Sequence, residues 1–450
     1  MALTPDPAKR VMTPDEAIAT ALLLQKEGEL DAAEVLYRKV LDANPNHLDA
    51  IHYLGVLAYQ YGDSDAAGRM LERVIAADPR HADAHSNLGM IRKAQGRLEA
   101  ATAEYRRAID LNPRHANAYT NLGVLLRAQG QIKESEAAYR RAIELNAGHA
   151  EAYHNLGVLL VGDRRIPEAV FCFCKATTLA PESTESRRML AHAYAEIGDR
   201  ANAIRVARDW LALQPDDPIA VHTLAAVSGT EPPPRAADEY IERVFDDFAG
   251  TFDAKLTNLA YRAPQLVAGV LGQARGAPDS SCDVLDAGCG TGLCGPLIGP
   301  YARSLIGVDL SAKMLAAAAE RKIYSELVKG ELTEYLEAHP ASFDIVASAD
   351  TLCYFGDLRR VTAAAAAALR AGGTLVFTVE HREDTGDGAG FGLQFNGRYH
   401  HTKAYVANVL ERAGLISDLI PAELRLEGGR PVAGLVVCAS KPVSATSRGN

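Results

Sequence analysis

The stretch Val284-Leu285-Asp286-Ala287-Gly288-Cys289-Gly290-Thr291-Gly292 decides the fold of the second half of this chain. Small apolar residues lead out of a buried strand, an acid lies at the end of the strand, and three alternating glycines follow. Glycine adopts positive φ without a steric penalty and lets the backbone come close to a ligand. At the carboxyl end of a first parallel strand, such a turn holds an adenosine-containing cofactor. Asp309, about twenty residues further on, is placed to bind a ribose.

Strands and helices alternate around this turn. The apolar runs predict strands at residues 283–287, 304–309, 325–329, 343–349, 374–380, 415–420 and 432–439. Helices are predicted between strands at residues 311–322, 358–370 and 402–413. This alternation indicates an α/β domain with a doubly wound sheet of parallel strands and helices on both faces.

The first half of the chain repeats itself every 34 residues. Leucine–glycine pairs recur with their glycines at Gly55, Gly89, Gly123 and Gly157, and small, aromatic and proline positions keep the same register. This register resembles the tetratricopeptide repeat (TPR). The resemblance implies an all-α solenoid of six helix pairs over residues 14–217, with atypical first and last repeats.

Asparagine recurs with the same period, at Asn87, Asn121 and Asn155. A side-chain amide can both donate to and accept from a peptide backbone. The recurrence resembles the asparagine ladder in the repeat domain of protein O-GlcNAc transferases, which implies a groove that binds a protein or peptide. The alternative is that asparagine is common at this repeat position and only caps or solvates the groove.

Residues 218–235 are predicted to link the two halves, because they include three consecutive prolines. The next segment, residues 236–256, is predicted to be helical and carries an aromatic stripe. The stripe consists of Tyr240, Phe245, Phe248 and Phe252. It either packs on the following domain or forms a lid over its site.

The glycine-rich residues 384–392 are either a second lid or a plain surface loop, and residues 441–450 are predicted to be a disordered tail.

The ordered motifs of residues 236–440 resemble class I S-adenosylmethionine-dependent methyltransferases. These motifs are the glycine run, Gly-Val-Asp-Leu-Ser at residues 307–311, the segment 343–354 and the segment 372–380. More narrowly, residues 243–253 and 397–401 resemble bacterial methyltransferases that carry an N-terminal TPR array. The resemblance implies a Rossmann-like second domain that binds S-adenosylmethionine and transfers its methyl group.

A nicotinamide-dinucleotide enzyme is the competing interpretation, because residues 290–295 form a GxGxxG string. Three features oppose it: Asp286 precedes the glycines, Gly288 adds a further glycine, and Asp350 has no role in hydride transfer. Carboxylates near the turn suit a cationic cofactor and would repel a pyrophosphate.

Residue roles follow from the resemblance to methyltransferases. Asp286 would meet the ammonium of the cofactor, and Asp309 would accept both ribose hydroxyls. Many relatives have aspartate where Glu331 stands, which leaves the reach of its contact open. The other implied contacts are Gly288, Cys289, Gly290 and Gly292 at the methionine and ribose; Leu310, Met314, Glu331 and Leu332 at the adenine; and Asp350, Tyr354 and Arg262 at the methionine end.

Methyl transfer from a sulfonium is a direct displacement, so alignment of the nucleophile supplies most of the rate. A general base is needed only where the nucleophile keeps its proton. Candidate catalytic residues follow the fifth strand at Tyr399, His400 and His401, since the pKa of histidine suits proton transfer. Arg398 is a candidate contact for the substrate or partner. The alternative is that this segment only shapes a loop.

Composition excludes several classes of protein. The 450 residues carry a net charge of −10, and no basic domain offers itself to nucleic acid. No apolar run reaches 18 residues, and the N-terminus lacks a basic and apolar leader, so a cytoplasmic protein without a membrane partner is expected. Seven cysteines without framework spacing or histidine partners predict a reducing compartment and no metal site.

Three functional hypotheses remain from the sequence. The first is a two-domain methyltransferase whose TPR array docks a protein or peptide. The second is a small-molecule methyltransferase whose repeats form a homodimer. The third is a scaffold whose second domain binds S-adenosylmethionine without catalysis.

Overall fold

The computed structural model of the protein describes residues 12–229, 232–253, 256, 259–384, 390–427 and 429–443. These residues form two compact units. The first unit holds the described chain as far as Leu160 together with Phe171–Glu182, and the second holds Val161–Val170 and the described chain from Ser183 onward. Within these ranges, no helix has both the length and the apolar character needed to cross a bilayer.

Residues 14–213 form the helices that the 34-residue register predicts. They are α1 (Pro14–Lys26), α2 (Leu30–Ala43), α3 (Leu48–Gln60), α4 (Ser64–Ala77), α5 (Ala82–Ala94), α6 (Leu98–Leu111), α7 (Ala116–Ala128), α8 (Ile132–Leu145), α9 (Ala150–Gly162), α10 (Ile166–Leu179), α11 (Thr184–Glu196) and α12 (Arg200–Leu213). Consecutive helices pack as pairs, from α1 with α2 to α7 with α8 in the first unit, and α11 with α12 in the second. The prediction of helical TPR pairs is therefore confirmed.

Glycine packs against a tyrosine ring in two of the helix pairs, α5 with α6 and α7 with α8. A Cβ added at Gly123 on α7 would lie 2.6 Å from the ring of Tyr139 on α8, and one at Gly89 on α5 would lie 2.8 Å from Tyr105. Both tyrosine rings are fully buried. The recurring glycine is thus required because the partner ring occupies the space of a side chain.

Part of the predicted linker is helical. Residues Pro218–Ser228 form α13, which begins at Asp217, whose side chain accepts the backbone N–H groups of Ile219 and Ala220. Ile219 packs in a buried cluster with Trp210 of α12 and Tyr240. The apolar face of this segment explains why it packs instead of remaining extended.

The second unit continues as an α/β domain. Its helices are α14 (Asp238–Phe248), α15 (Ala263–Arg275), α16 (Gly295–Ile298), α17 (Ala312–Glu320), α18 (Leu332–Ala338), α19 (Arg359–Ala368) and α20 (Lys403–Arg412). Its strands are β1 (Cys282–Ala287), β2 (Ala302–Asp309), β3 (Glu326–Lys329), β4 (Phe343–Ser348), β5 (Leu369–His381), β6 (Phe391–Leu393), β7 (Tyr399–His401), β8 (Ile416–Glu427) and β9 (Arg430–Ser440).

The strands form one mixed sheet. Its parallel part runs in the order β3-β2-β1-β4-β5, and β9 pairs antiparallel with β5 and with β8. The short hairpin β6–β7 extends the far end of β5, where Glu380 pairs with His400. Because successive side chains point to opposite faces, Leu285 packs in one apolar layer and Val284 in the other. The predicted α/β second domain is confirmed, with antiparallel strands added at one edge.

Two segments with sequence predictions lie partly outside the described residues. Of the glycine-rich residues 384–392, residues 385–389 lie outside the described chain. Of the predicted tail, residues 444–450 lie outside it as well. Lys441, just after β9, is bonded through Nζ to the carbonyls of Ala366 and Leu369, 2.7 Å from each.

Candidate functional site

A cavity opens at the carboxyl ends of the parallel strands. Its volume is about 1050 Å³ when the part open to solvent is included, within the range of small-molecule and cofactor sites. Several of its lining residues were predicted as cofactor contacts: Asp286, Gly288, Cys289, Gly290, Asp309, Leu310, Glu331, Leu332, Asp350 and Tyr354. The sheet brings these positions together because parallel strands end at the same edge.

The glycine turn has the left-handed backbone that its sequence predicts. Gly288, Gly290 and Gly292 have φ values of 75°, 54° and 82°. A Cβ at Gly288 would lie 2.3 Å from Thr351, whereas one at Gly290 would meet nothing within 4 Å and would enter open space. Gly290 therefore leaves bare backbone facing the cavity. Gly292 lies behind, against Tyr324 and Arg321, instead of on the cavity wall.

Asp309, at the end of β2, is bonded to the glycine turn. Its Oδ2 accepts the backbone N–H of Gly290 at 2.9 Å, and its Oδ1 accepts that of Ser311 at 2.9 Å. Burial raises the pKa of Asp309, and these backbone donors oppose the rise. The carboxylate is held in a fixed orientation where it can accept paired hydroxyls.

Asp286, at the end of β1, is almost completely buried, with 1% of its surface exposed. Tyr324 donates a hydrogen bond of 2.6 Å to its Oδ2. Burial raises the pKa of Asp286 to about 7, the Tyr324 hydroxyl opposes the rise, and the charge of Asp309 adds to it. A cation beside Asp286 would stabilise the ionised form, so the site favours a positively charged ligand.

Apolar side chains from the segment before the sheet form one wall. Ile241, Phe245, Phe252 and Leu256 line the cavity, and the ring of Phe245 meets that of Tyr354 edge-on at 5.5 Å. The aromatic stripe thus contributes two rings to the cavity, and its Tyr240 packs in the buried cluster around Trp210 instead. Met314 is fully buried within α17 and lies outside the lining.

Glu331 lines the cavity, but its carboxylate is engaged within its own segment. It caps α18 by accepting the N–H of Glu334 at 2.9 Å and the hydroxyl of Thr333 at 3.0 Å. Arg235 lies 3.7 Å from it. A ligand reaching this edge would therefore meet a carboxylate that is already oriented by the helix terminus.

A cluster of charged side chains, hereafter the charged cluster, lies beside Tyr354. It consists of Asp350, Glu380, Arg398, Arg425 and Glu427. The fully buried Arg425 bonds Asp350 through Nη1 at 3.1 Å, Glu380 through Nη2, and Glu427 through Nε at 2.7 Å. Asp350 has a positive φ of 59°, an unfavourable backbone for a residue other than glycine. Its backbone N–H bonds Thr378, which helps to hold it there.

Four family models match parts of the chain. Residues 285–377 match a family described as a methyltransferase domain. Residues 24–91 and 116–182 match families described as tetratricopeptide repeats, and residues 89–126 match a family described as a TPR repeat. The chain combines tetratricopeptide repeats with a methyltransferase domain.

Individual proteins show the same likeness. Ubiquinone biosynthesis O-methyltransferase of Thiobacillus denitrificans is 33% identical over 112 residues, which cover 24% of this chain and 47% of that protein. Methyltransferase-like protein 27 of Homo sapiens is 38% identical over 104 residues, covering 23% and 42%. The solved structure of Pseudomonas aeruginosa pilF is 20% identical, covers 47% of this chain and 96% of that chain, and has a TM-score of 0.41. The chain spans less than half the length of the two curated relatives.

The predicted catalytic residues of the methyltransferase domain lie on β7. Tyr399 is buried and donates to the carbonyl of Pro233 at 2.8 Å, and His401 is buried with its Nε2 3.0 Å from the carbonyl of Gly356. Burial lowers the pKa of His401 to about 4. His400 is half-buried against Gly392. These three lie outside the described cavity lining, so the expectation that they act on a substrate there is not supported. Their neighbour Arg398 does line it.

Arg262 is also placed away from the cavity. It is exposed at the start of α15, and its backbone N–H bonds the carbonyl of Leu424 at 2.9 Å. Its neighbours Tyr261 and Pro264 line the cavity instead. The expected contact between Arg262 and the methionine carboxylate therefore lacks support from the geometry.

The three asparagines of the repeats lie on the first helices of successive pairs, α5, α7 and α9, and all are half-buried. Asn87 already has a partner, because its Nδ2 lies 2.7 Å from Nε2 of His52 on α3. The role of the ladder in binding a peptide stays a prediction.

Sequence reasoning missed Arg425, Tyr324 and Tyr261. Arg425 follows the buried Leu424, and strict strand alternation would place it on the opposite face. A β-bulge between Glu423 and Leu426 turns both residues inward. Tyr261 directly precedes Arg262 in the sequence, and this tyrosine beside a candidate contact was the available signal.

Proposed function

We propose that the protein is an S-adenosylmethionine-dependent methyltransferase whose TPR array docks a protein or peptide. One observation carries the proposal: the buried Asp286 and the half-buried Asp309, at the ends of adjacent strands, line one cavity across a turn of bare glycine backbone. The open space at Gly290 and the raised pKa of Asp286 fit a cofactor with a ribose and a cationic amino-acid end.

The cofactor would be held by Asp309 at the ribose, by Asp286 at the ammonium and by Leu310 and Leu332 at the adenine. When bound, it supplies an electrophilic methyl group on a sulfonium. The chain contributes orientation and exclusion of water, through Phe245 and Phe252 on the apolar wall.

The phenols in the cavity act as hydrogen-bond donors in this proposal. Burial raises the pKa of Tyr261 and of Tyr354, so both stay protonated at neutral pH. Neither is then suited to remove a proton from the acceptor. The general base, where the acceptor needs one, is therefore neither of these two phenols.

The test of cofactor binding is calorimetric titration with S-adenosylhomocysteine. Asp309→Ala removes the acceptor of the ribose hydroxyls, and a loss of affinity of roughly tenfold to hundredfold is expected from charged hydrogen bonds. Asp418→Ala, on an exposed position of β8, is the matched control and should bind as the wild type does. Unchanged binding by Asp309→Ala would overturn the cofactor assignment.

The docking proposal has a separate test. Asn87, Asn121 and Asn155 are replaced together by alanine, and transfer of radiolabelled methyl groups to host lysate is measured. Loss of labelled protein with cofactor affinity kept supports docking. Unchanged labelling of a small-molecule fraction supports the second hypothesis, a small-molecule enzyme with repeats that form a dimer. Tight cofactor binding with no transfer supports the non-catalytic scaffold.

A further inference from the structure

Among the described residues that line the cavity, two carry positive charge: Arg235 and Arg398. They lie on different sides of the site. Arg235 bonds Asp238 at 2.7 Å and lies 3.7 Å from Glu331, which follows β3. Arg398 belongs to the charged cluster, whose Asp350 follows β4 and whose Glu380 lies on β5.

Arg398 is incompletely paired within the charged cluster. Its contacts with Glu427, Glu380 and Asp350 are long, at 3.3, 3.4 and 3.8 Å. The bonds that Arg425 makes to the same three carboxylates are each shorter. The three carboxylates are therefore paired more closely with the fully buried Arg425 than with Arg398.

Arg398 lines the cavity, and only one of its guanidinium nitrogens forms ion pairs with described side chains. These ion pairs all run through Nη1. The side chain is 23% exposed, and its guanidinium carbon lies 5.9 Å above the ring of Tyr354. A guanidinium has five donors in a planar fork, so Nε and Nη2 remain to receive a carboxylate.

The backbone around Arg398 is held on both sides. The carbonyl of Gly397 lies 2.9 Å from Nε2 of His222 on α13, and a Cβ at Gly397 would lie 2.7 Å from the hydroxyl of Tyr240. On the other side, Tyr399 bonds the carbonyl of Pro233. The arginine is thus presented from a fixed backbone, which reduces the entropy lost when it binds a ligand.

We propose that Arg398 binds the carboxylate on the methionine end of the cofactor. The inference rests on the proposed function, in which Asp286 at the end of β1 meets the ammonium. The carboxylate and the ammonium share one carbon atom, so the cation that meets the carboxylate must lie near β1. Strand β4 is the direct neighbour of β1, whereas β3 is separated from it by β2, and Arg398 is the cation on the β4 side.

The test compares two ligands by calorimetric titration of the full chain. S-adenosylhomocysteine carries the carboxylate, and 5′-methylthioadenosine lacks the amino-acid end. Arg398→Gln should weaken binding of the first ligand about tenfold to hundredfold and change binding of the second less than about twofold. Arg398→Lys should give an intermediate loss, because it keeps the charge without the fork. Arg412→Gln, an exposed arginine at the end of α20 and outside the cavity lining, is the control and should bind both ligands normally.

The outcomes separate this inference from the proposed function. Normal binding of S-adenosylhomocysteine by Arg398→Gln overturns the inference, and if methyl transfer is lost at the same time, Arg398 belongs to the acceptor instead. Equal weakening of both ligands also overturns it, because the loss would not depend on the carboxylate. Failure of the wild type to bind either ligand overturns the proposed function itself.

Discussion

Glycine recurs at fixed spacing in the repeats and in the cofactor turn, for different physical reasons. Gly123 of the repeats lies within a helix, and the ring of Tyr139 fills the space that a side chain would need. Gly290 of the methyltransferase domain has a φ of 54° and open space where a side chain would be. The repeats use glycine for packing between helices, and the cofactor turn uses it for backbone conformation and access.

Charge is also used differently in the two regions. In the repeats, ion pairs such as Arg38 with Glu34 span one helical turn, and the arginine side chain is 64% exposed. In the methyltransferase domain, Arg425 is completely buried between Asp350 and Glu380. Exposed pairs contribute little to stability, whereas removal of one partner of a buried pair leaves an uncompensated charge.

The largest expected effect tests this contrast in charge. Arg425→Gln should lower the free energy of unfolding of the second unit by about 3–5 kcal/mol, because two buried carboxylates lose their main partner. Arg38→Gln should change the free energy of unfolding by less than about 1 kcal/mol. Urea denaturation followed by circular dichroism measures both. Equal effects from the two substitutions would remove the distinction between the regions.

The second prediction tests the packing role of glycine. Gly123→Ala should destabilise the repeats by about 1–3 kcal/mol, since the new methyl group would overlap Tyr139. Gly130→Ala is the matched control, because its φ is 75° with nothing within 4 Å of the added Cβ, and backbone strain alone predicts about 1–2 kcal/mol. The double variant Gly123→Ala/Tyr139→Leu should recover part of the loss from the first site. If it recovers nothing, the ring is not the cause.

The third prediction concerns pH. Asp286 has a pKa of about 7 in the free protein, and a bound ammonium would favour its ionised form. Binding below pH 7 must therefore release a proton, and the affinity for S-adenosylmethionine should rise by up to about tenfold per pH unit toward 7 and then level off. Calorimetry in buffers of different ionisation enthalpy measures the proton release. Asp286→Asn should abolish the pH dependence, and an unchanged profile in that variant would contradict the assignment.

The raised pKa of Asp286 also determines how its contribution to the stability of the fold changes with pH. The folded-state pKa of Asp286 lies above its ordinary value of 3.8, so its contribution is most favourable at low pH and is lost as the pH rises toward 7. His52 in the repeats offers the comparison, because burial lowers its pKa to about 4. Between about pH 4 and 6.5 the unfolded chain takes up a proton at His52 that the folded protein does not, so the contribution of His52 to stability rises with pH, opposite in sign to that of Asp286.

The sequence by itself determined the elements that depend on short-range pattern. The 34-residue register predicts the helix pairs, because each pair repeats the same local packing of a small residue on one helix against a large one on the next. The glycine turn after β1 and the acid after β2 are equally local, since a strand end and a turn involve neighbouring residues. Their meeting at one cavity follows from parallel strand direction alone, so Asp286 and Asp309 could be chosen without coordinates.

Only the tertiary structure decided which side chains complete the site. Arg398 lines the cavity and Arg262 does not, because the β6–β7 hairpin folds back onto the end of β5. Tyr399 and His401 are turned away by bonds to distant carbonyls, and Arg425 faces inward because a bulge breaks the alternation of β8. These outcomes depend on contacts between residues far apart in the chain. The two-residue alternation of strands and the 34-residue period of the repeats are local patterns and carry no information about such contacts.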